Sequence, residues 1–365
     1  MRIMLQGYLN DANFGDILFA HLFYRRCLNA GFQSVDFWQY KSYGIGSFCR
    51  KELGYTTEKS FLACLKADAL VLISGGFLWN DANRISDDKL RFRRYILPAL
   101  LYQFLGKPVY ILGAGGGPVD TLWLRRLMVR VLNKAKKVYF RDEATKQVFD
   151  DYGVKNTTEV TADTALVLRP EMLDAFEEHD RLEKAALGRK KLLLHIPNGK
   201  NGLQYIDELI LPELISFLDE HKDYFTVLSC DNIWQMSQAE AQIIEKIKTA
   251  LHDSHIDFYN YKYHDCWQMC SLINEMDCVV TMKLHVAVVG AVFSKSVISF
   301  PTHREKTENF FNMIGQEGRC VNVKNLNRNV VREQLTRFHD QPVHVPEEYR
   351  IKAEKNLSAL DSIAR

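Results

Sequence analysis

Residues 278–300 read CVVTMKLHVAVVGAVFSKSVISF, and the order of apolar runs in them decides the fold class. Residues 278–281 are a short continuous apolar run, the mark of a strand buried on both faces. Residues 284–292 are apolar on every side apart from His285 and read as a buried helix. Residues 297–300 supply a second buried strand. Strand, helix and strand in so short a stretch form a βαβ unit, whose two strands lie parallel in one sheet.

The same alternation extends outward from this unit. Before it come strands at 192–196 and 225–229, with helices at 237–251 and 267–276. The first half repeats the pattern, with strands at 2–7, 35–40, 69–73, 109–112 and 138–140 and helices at 16–29, 91–105, 121–134 and 143–151. Between the two series, residues 171–191 are charged, helix-prone and poor in β-branched side chains. A chain of 365 residues exceeds one typical core. The expected fold is therefore α/β: two doubly wound, Rossmann-like domains, over 1–180 and 190–330, facing each other across a cleft. A charged helical tail, 331–365, follows and contains Pro342 and Pro346. In such folds ligands sit beyond the carboxyl ends of the strands.

Composition narrows the function. With 47% hydrophobic and 25% charged residues the chain is ordinary for a globular protein. A formal net charge of +2, with no recognition motif, argues against nucleic acid as a partner. Eight cysteines include no CxxC pair. Cys266 and Cys270 lie near His264, but a second Cys/His pair is lacking, so no metal is expected and the thiols read as buried and reduced. The opening MRIMLQGYLNDANFGD is too polar for a signal peptide, and no apolar run approaches the roughly 18 residues of a membrane helix. The expected location is the cytoplasm, with at most peripheral contact to the inner face of the membrane. That contact would fall on residues 121–137, where Arg125, Arg126, Arg130, Lys134, Lys136 and Lys137 alternate with Leu122, Trp123, Leu124, Leu127 and Met128. A solvated basic face is the more ordinary reading of the same pattern.

The turns after the strands hold the candidate chemistry. Gly7 opens a loop in which Asn13, Gly15 and Asp16 supply turn and capping chemistry, either as a plain connection or as an anion site. Gly75 and Gly76, and then the run Gly113-Ala114-Gly115-Gly116-Gly117-Pro118, let backbone come close to a ligand or to a neighbouring loop. The second run is no dinucleotide fingerprint, because Pro118 stands at its last position and the next strand ends in Arg141 rather than an acid. Asp142 suits a helix cap, leaving Arg141 either to meet a ligand or to pair with Asp163. Lys283 and His285 place a cation and an imidazole two apart at a strand-to-helix junction, suited to bind phosphate and move a proton. Residues 301–306, with Arg304 and Lys306, form a second cationic loop after the next strand.

In this order the motifs resemble the polysaccharide pyruvyl transferase family. The set runs from Gly7 and Asn13-Phe14-Gly15-Asp16, through Asp68 and Gly75-Gly76, to Gly113–Pro118, Arg141-Asp142-Glu143 and Asp163-Thr164-Ala165. It ends with Lys283-Leu284-His285 and the loop 300–306. The sequence departs from the family in having Lys283 for the usual Arg, Phe77 where a third glycine is common, and an altered 300–306 loop. The resemblance implies a two-domain fold like the GT-B glycosyltransferases. It implies phosphoenolpyruvate as co-substrate, no other cofactor, and a sugar diol as acceptor, in a polymer, a monomer or a lipid-linked precursor. The product is a cyclic pyruvate ketal, with phosphate released. It implies His285 as acid/base, with Lys283, Arg141, Arg304 and Lys306 as anion ligands. Backbone amides of Gly113, Gly115 and Gly116 would line the pocket, and Asn13 and Asp16 would hold the acceptor or shape its loop. The amino-terminal domain would take the acceptor side and the carboxyl-terminal domain the donor side. Two other readings share these residues: a nucleotide-sugar glycosyltransferase, and a non-catalytic module that binds a glycan or anion.

Overall fold

Short apolar runs buried on both faces demand parallel strands covered by helices, and every pairing between the strands is indeed parallel. The computed structural model describes residues 1–8, 13–38, 65–80, 85–197, 200–230, 238–302 and 304–364. The chain divides into two compact units: Met1–Val167 together with Glu347–Arg365, and Leu168–Pro346.

The first unit holds β1 (Arg2–Gln6), α1 (Phe14–Asn29), β2 (Ser34–Phe37), β3 (Ala69–Leu72) and β4 (Gly75–Leu78). A long helical stretch follows as α2 (Ile85–Arg91), a π turn (Phe92–Ile96) and α3 (Leu97–Phe104). Then come β5 (Val109–Gly116), α4 (Leu122–Lys134), β6 (Lys137–Phe140), α5 (Glu143–Asp151) and β7 (Thr158–Val160). The strand order is β2-β1-β3-β5-β6-β7, with β4 pairing β5. Gly75 and Gly76, expected as a turn, thus begin a strand. The cause is the length of β5, which outruns β3 and pairs its last residues, Ala114 and Gly116, with Gly75 and Leu78.

The second unit holds α6 (His179–Ala186), β8 (Lys190–Ile196), α7 (Lys200–Tyr205), a π turn (Ile206–Ile210), α8 (Leu211–Glu220) and β9 (Tyr224–Cys230). It continues with α9 (Gln238–Asp253), β10 (Phe258–Asn260), α10 (Cys266–Glu275), β11 (Cys278–Thr281) and α11 (Leu284–Val292). β12 (Ser296–Ser299), α12 (Arg304–Met313) and α13 (Arg328–Phe338) complete it. Its order, β10-β9-β8-β11-β12, reverses direction at β8, as the first sheet's does at β1. Doubly wound sheets open their ligand crevice at such reversals, so the carboxyl ends of β8 and β11, and of β1 and β3, are the places to look. No described helix is long and apolar enough to cross a membrane.

Each unit interrupts one long helix with a π turn directly ahead of a Leu-Pro pair. The N–H of Leu97 donates to the carbonyl of Phe92, and that of Leu211 to Ile206. Pro98 and Pro212 follow. A proline ring crowds the carbonyl four residues back, and the wider turn accommodates it.

The carboxyl-terminal residues do not form the single tail expected at 331–365. α13 stays with the second unit, where Val331, Leu335 and Phe338 join the core with Leu211, Leu214 and Phe217 of α8. α14 (Glu347–Ala364) belongs to the first unit and packs on α1 and on the 3-10 turn Thr164–Val167. Pro342 and Pro346 mark the break between them. The expected first boundary, near 180, likewise falls earlier, at Val167/Leu168. A buried polar cluster explains why α14 returns. Asn356 is fully buried; its Oδ1 accepts from the Thr161 hydroxyl at 2.8 Å, and its Nδ2 donates to the Ala162 carbonyl at 3.0 Å and to Thr164 Oγ1 at 2.9 Å. At the rim Arg26 pairs with Glu354 and Asp361, and Lys355 with Glu159.

Replacing Asn356 by Leu keeps the volume and removes all three bonds, leaving the Ala162 carbonyl without its partner in the core. Each buried group so orphaned costs about 1–3 kcal/mol. Urea unfolding of Asn356→Leu should therefore show a loss of about 2 kcal/mol or more, and a loss below about 0.5 kcal/mol would show that α14 is held by its apolar face alone.

Candidate functional site

In the second unit β8 and β11 lie in register, with His195 opposite Thr281. Thr281 is buried, and its Oγ1 accepts the Lys283 N–H at 3.0 Å. The same oxygen lies 3.4 Å from Nδ1 of the fully buried His195. A hydroxyl both donates and accepts, so the direction of the contact between Thr281 and His195 follows the tautomer of the imidazole. Lys283 precedes α11 with an extended backbone, φ −108° and ψ 129°, and makes no capping hydrogen bond. Elsewhere Asn13, Asp142, Asp265 and Asn327 cap their helices with side-chain oxygens. α11 begins instead on a basic residue, with no side-chain oxygen at its positive end.

His285 sits in the first turn of α11, half-buried like Lys283. The helix cannot shift beneath it. Residues Val286–Val292 are all buried, and a Cβ on Gly290 would lie 3.0 Å from Val297 of β12, so helix and sheet are in close contact. β12 runs beside β11, and the Phe300 N–H donates to the Thr281 carbonyl at 2.9 Å. The following residues lead into α12, with Lys306 half-buried in its first turn. The backbone of Arg304 opens that helix, while its side chain and His303 lie outside the described residues. The structure thus places Lys283, His285 and Lys306 after the carboxyl ends of two adjacent strands. His195 went unnoticed in the sequence, although a lone polar residue in the run 192–196 was a usable signal. Gly202 of α7, also missed, packs on Pro197, where a Cβ would lie 2.8 Å from its Cγ. Cys266 and Cys270 are both buried in α10, and His264 pairs with Glu177 at 2.7 Å.

In the first unit Asn13 caps α1, its Oδ1 accepting the Gly15 N–H at 3.2 Å. Asp16 is buried beside Gly75, whose φ is +145° and whose added Cβ would lie 3.6 Å from Asp16 Oδ1. Asn13, Gly15, Asp16 and Gly75 therefore meet at the reversal between β1 and β3. Residues 9–12 of the same loop lie outside the described residues. Tyr95, fully buried, stacks on Phe77 at 4.7 Å. Burial first, and the Asp16 carboxylate second, push its phenol well above its ordinary range. Asp68 lies elsewhere, at the amino end of β3, where it pairs with Arg2 at 3.1 Å. The Arg2 backbone N–H, then its guanidinium, hold that carboxyl below the usual range.

Two expectations change at β5 and β6. Arg141 takes the ion-pair alternative: it is buried, with Nε 3.5 Å from Asp142 and Nη1 3.5 Å from Asp163. Asp142 also caps α5 through the Thr145 N–H at 2.7 Å, and Asp163 accepts the Ala165 N–H at 3.0 Å. The glycine run, expected to present amides to a ligand, closes the fold instead. The Gly116 N–H donates to Thr145 Oγ1 at 2.9 Å and the Gly117 N–H to the Leu78 carbonyl at 3.0 Å. An added Cβ on Gly115 would lie 2.7 Å from Arg141 Nη2, and one on Gly116 2.3 Å from the Leu78 carbonyl oxygen. On Gly113, at φ +73°, it would lie 2.3 Å from Ser74 Oγ and 2.8 Å from Asn356 Nδ2. Gly76 lies half-buried in β4.

Residues 13–304 match the family model described as polysaccharide pyruvyl transferase. The chain belongs to this family. No curated protein matches it. Among solved structures, the UDP-GlcNAc 2-epimerase of Methanocaldococcus jannaschii has a TM-score of 0.66 at 11% identity, over 99% of this chain and 100% of that one. S. aureus MnaA in complex with UDP gives 0.65 at 12%, over 99% and 96%. The Neisseria meningitidis UDP-GlcNAc 2-epimerase bound to UDP-GlcNAc gives 0.62 at 13%, over 100% and 98%. At these identities the likeness is one of fold: this member of the pyruvyl transferase family has the two-domain, GT-B-like architecture expected from its sequence.

Two of the left-handed glycines, Gly106 and Gly113, offer a matched test of the packing at β5. A Cβ on Gly106, at φ +70°, meets nothing within 4 Å. Gly106→Ala should cost only the left-handed penalty, about 1–2 kcal/mol. Gly113→Ala should cost about 1–3 kcal/mol more from overpacking against Ser74 and Asn356. Equal losses in urea unfolding would mean that the glycine run is not pressed against its neighbours.

Proposed function

We propose that this chain moves pyruvate from phosphoenolpyruvate onto two hydroxyls of a sugar, forming a ketal and releasing phosphate. The observation that carries the reading is the start of α11: a cationic, uncapped helix end with His285 in its first turn, at the reversal point of the sheet, in a chain of the pyruvyl transferase family. Phosphoenolpyruvate carries a phosphate and a carboxylate, and a helix amino end reinforced by Lys283 suits one of them. Lys306, after the adjacent strand, suits the other.

The chemistry assigns His285 a proton. Protonation of the donor's methylene carbon makes its central carbon electrophilic. One sugar hydroxyl adds there, the C–O bond to phosphate breaks, and the second hydroxyl closes the ketal. Of the two hydroxyl protons, one replaces that spent on the new methyl group and the other leaves with phosphate, so the step balances without a redox partner. His285 gives the first proton and takes back a hydroxyl proton. Lys283 and the first-turn amides hold the departing phosphate, whose charge grows as the bond breaks. In the first unit Asn13 and Asp16 hold the acceptor or shape its loop. Arg141, clasped by Asp142 and Asp163, acts as a positioning residue for the turn after β6. The Thr281 hydroxyl fixes the Lys283 backbone.

Transfer from a nucleotide sugar is the rival, favoured by fold neighbours whose structures hold UDP or UDP-GlcNAc. Phosphate release from phosphoenolpyruvate, measured against a panel of lipid-linked and free sugar acceptors, separates the two. Acceptor-dependent release is expected, with His285→Ala lowering kcat about 100-fold or more at an unchanged melting temperature. Wild-type turnover in His285→Ala would remove His285 from the chemistry. Stabilisation by UDP-sugars and none by phosphoenolpyruvate would move the reading to nucleotide-sugar transfer.

A further inference from the structure

Among the described helices α4 alone carries several basic residues and no acid. Its sequence, LWLRRLMVRVLNK, contains three arginines and a lysine and no acid. α9, α13 and α14 each mix both signs. Leu124, Met128, Val131 and Leu132 bury its inner face in the core of the first unit. Arg126, Arg130 and Lys134 recur every four residues along the outer face and are exposed, and among the described residues none of them is in an ion pair. A charged face kept only for solubility ordinarily intersperses both signs.

The same surface carries exposed apolar groups. Leu122 and Trp123, in the first turn of α4, are 47% and 44% exposed. α3 packs alongside: Phe92, just before it, meets Trp123 edge-on at 5.8 Å, and Gln103 Nε2 donates to the Val131 carbonyl at 2.9 Å. The two helices therefore run in the same direction, and α3 ends beside the last turn of α4. There Phe104 is 85% exposed and Leu105 49%. Four of the nine exposed large apolar side chains among the described residues thus belong to this one helix pair. An aromatic and aliphatic pair at one end, a file of unpaired cations, and a second apolar pair at the other end suit a surface that offers hydrocarbon and negative charge together.

We infer that the α3–α4 face docks on an anionic lipid bilayer. Trp123, Leu122, Phe104 and Leu105 enter the headgroup boundary, while Arg126, Arg130 and Lys134 meet lipid phosphates. The charge complementarity commits the site to acidic lipid rather than to a protein groove, because the cations of α4 stand with no acid on their helix and with exposed apolar side chains at both of its ends.

Co-sedimentation of the full chain with vesicles tests this without any substrate, so its outcome stands apart from the donor and acceptor of the proposed reaction. Vesicles containing phosphatidylglycerol should bind the protein at least about tenfold better than pure phosphatidylcholine, and raised salt should weaken the binding. Arg126→Glu/Arg130→Glu should lower binding to phosphatidylglycerol about tenfold or more with an unchanged melting temperature. Arg126→Gln/Arg130→Gln serves if the reversal disturbs folding. Trp123→Ser should weaken binding while leaving its salt dependence in place. Equal binding to both lipids, unaltered binding by the arginine variants, or tighter binding to a soluble polyanion such as heparin than to vesicles would each overturn the inference.

Discussion

A helix that is apolar on every side has one place to go. α11 offers no polar face to water, so it must lie between the sheet and the elements that cover it. The approach of Gly290 to Val297 shows how closely it lies. Burying it fixes where it begins, and it begins on Lys283. The polar residues at its start cannot follow it into the core and are held at the strand end, half-exposed, where the sheet reverses. The strand end that carries Lys283 and His285 is thus a by-product of the packing of the helix behind it. Thr281 completes the arrangement by binding the Lys283 amide, which fixes the angle at which the helix leaves β11.

The first unit solves a different problem with the same kind of strand. β5 is long enough to pair β3 with its first half and β4 with its second, and a long strand invites crowding at its far end. Glycines at 113, 115 and 116 admit Ser74, Asn356, Arg141 and the Leu78 carbonyl against the β5 backbone. Removing side chains there makes room for a buried guanidinium between two carboxylates and for a carboxamide from the far end of the chain. Breaking such a pair is costly, since it leaves a charge buried without a partner. Arg141 is accordingly better suited to hold the Asp142 and Asp163 turns in place than to leave them for a ligand.

Strands and helices were legible because their signals are periodic and local: apolar runs of four to eight residues, then helical spacing. The doubly wound class followed from alternation alone, and so did the place where Lys283 and His285 stand. The glycine run was legible as a feature but not in its role. A glycine spared for a ligand, for a left-handed turn or for a neighbouring side chain leaves the same letter in the sequence, and only the contacts at 113, 115 and 116 separate the three. Asn356 and His195 were hidden for the opposite reason. Each is one polar residue in an otherwise unremarked segment, and its partner lies far away along the chain or on the next strand. The division of the tail was foreshadowed by Pro342 and Pro346, but which unit α14 joins depends on the Asn356 cluster, which no periodicity announces.

The presence of Lys283 where the family usually has arginine fits the geometry around it. A guanidinium binds an oxyanion by a planar, two-pronged contact that needs room and a set direction. An ammonium is a compact point charge and tolerates many directions. At the start of α11 the direction is already set by the first-turn amides, which converge on one point along the helix axis. The side chain there has only to add charge, and lysine does so. On the proposed function, an anion at this point would take its orientation from the backbone of a helix that its own burial holds fixed, with Lys283 adding charge.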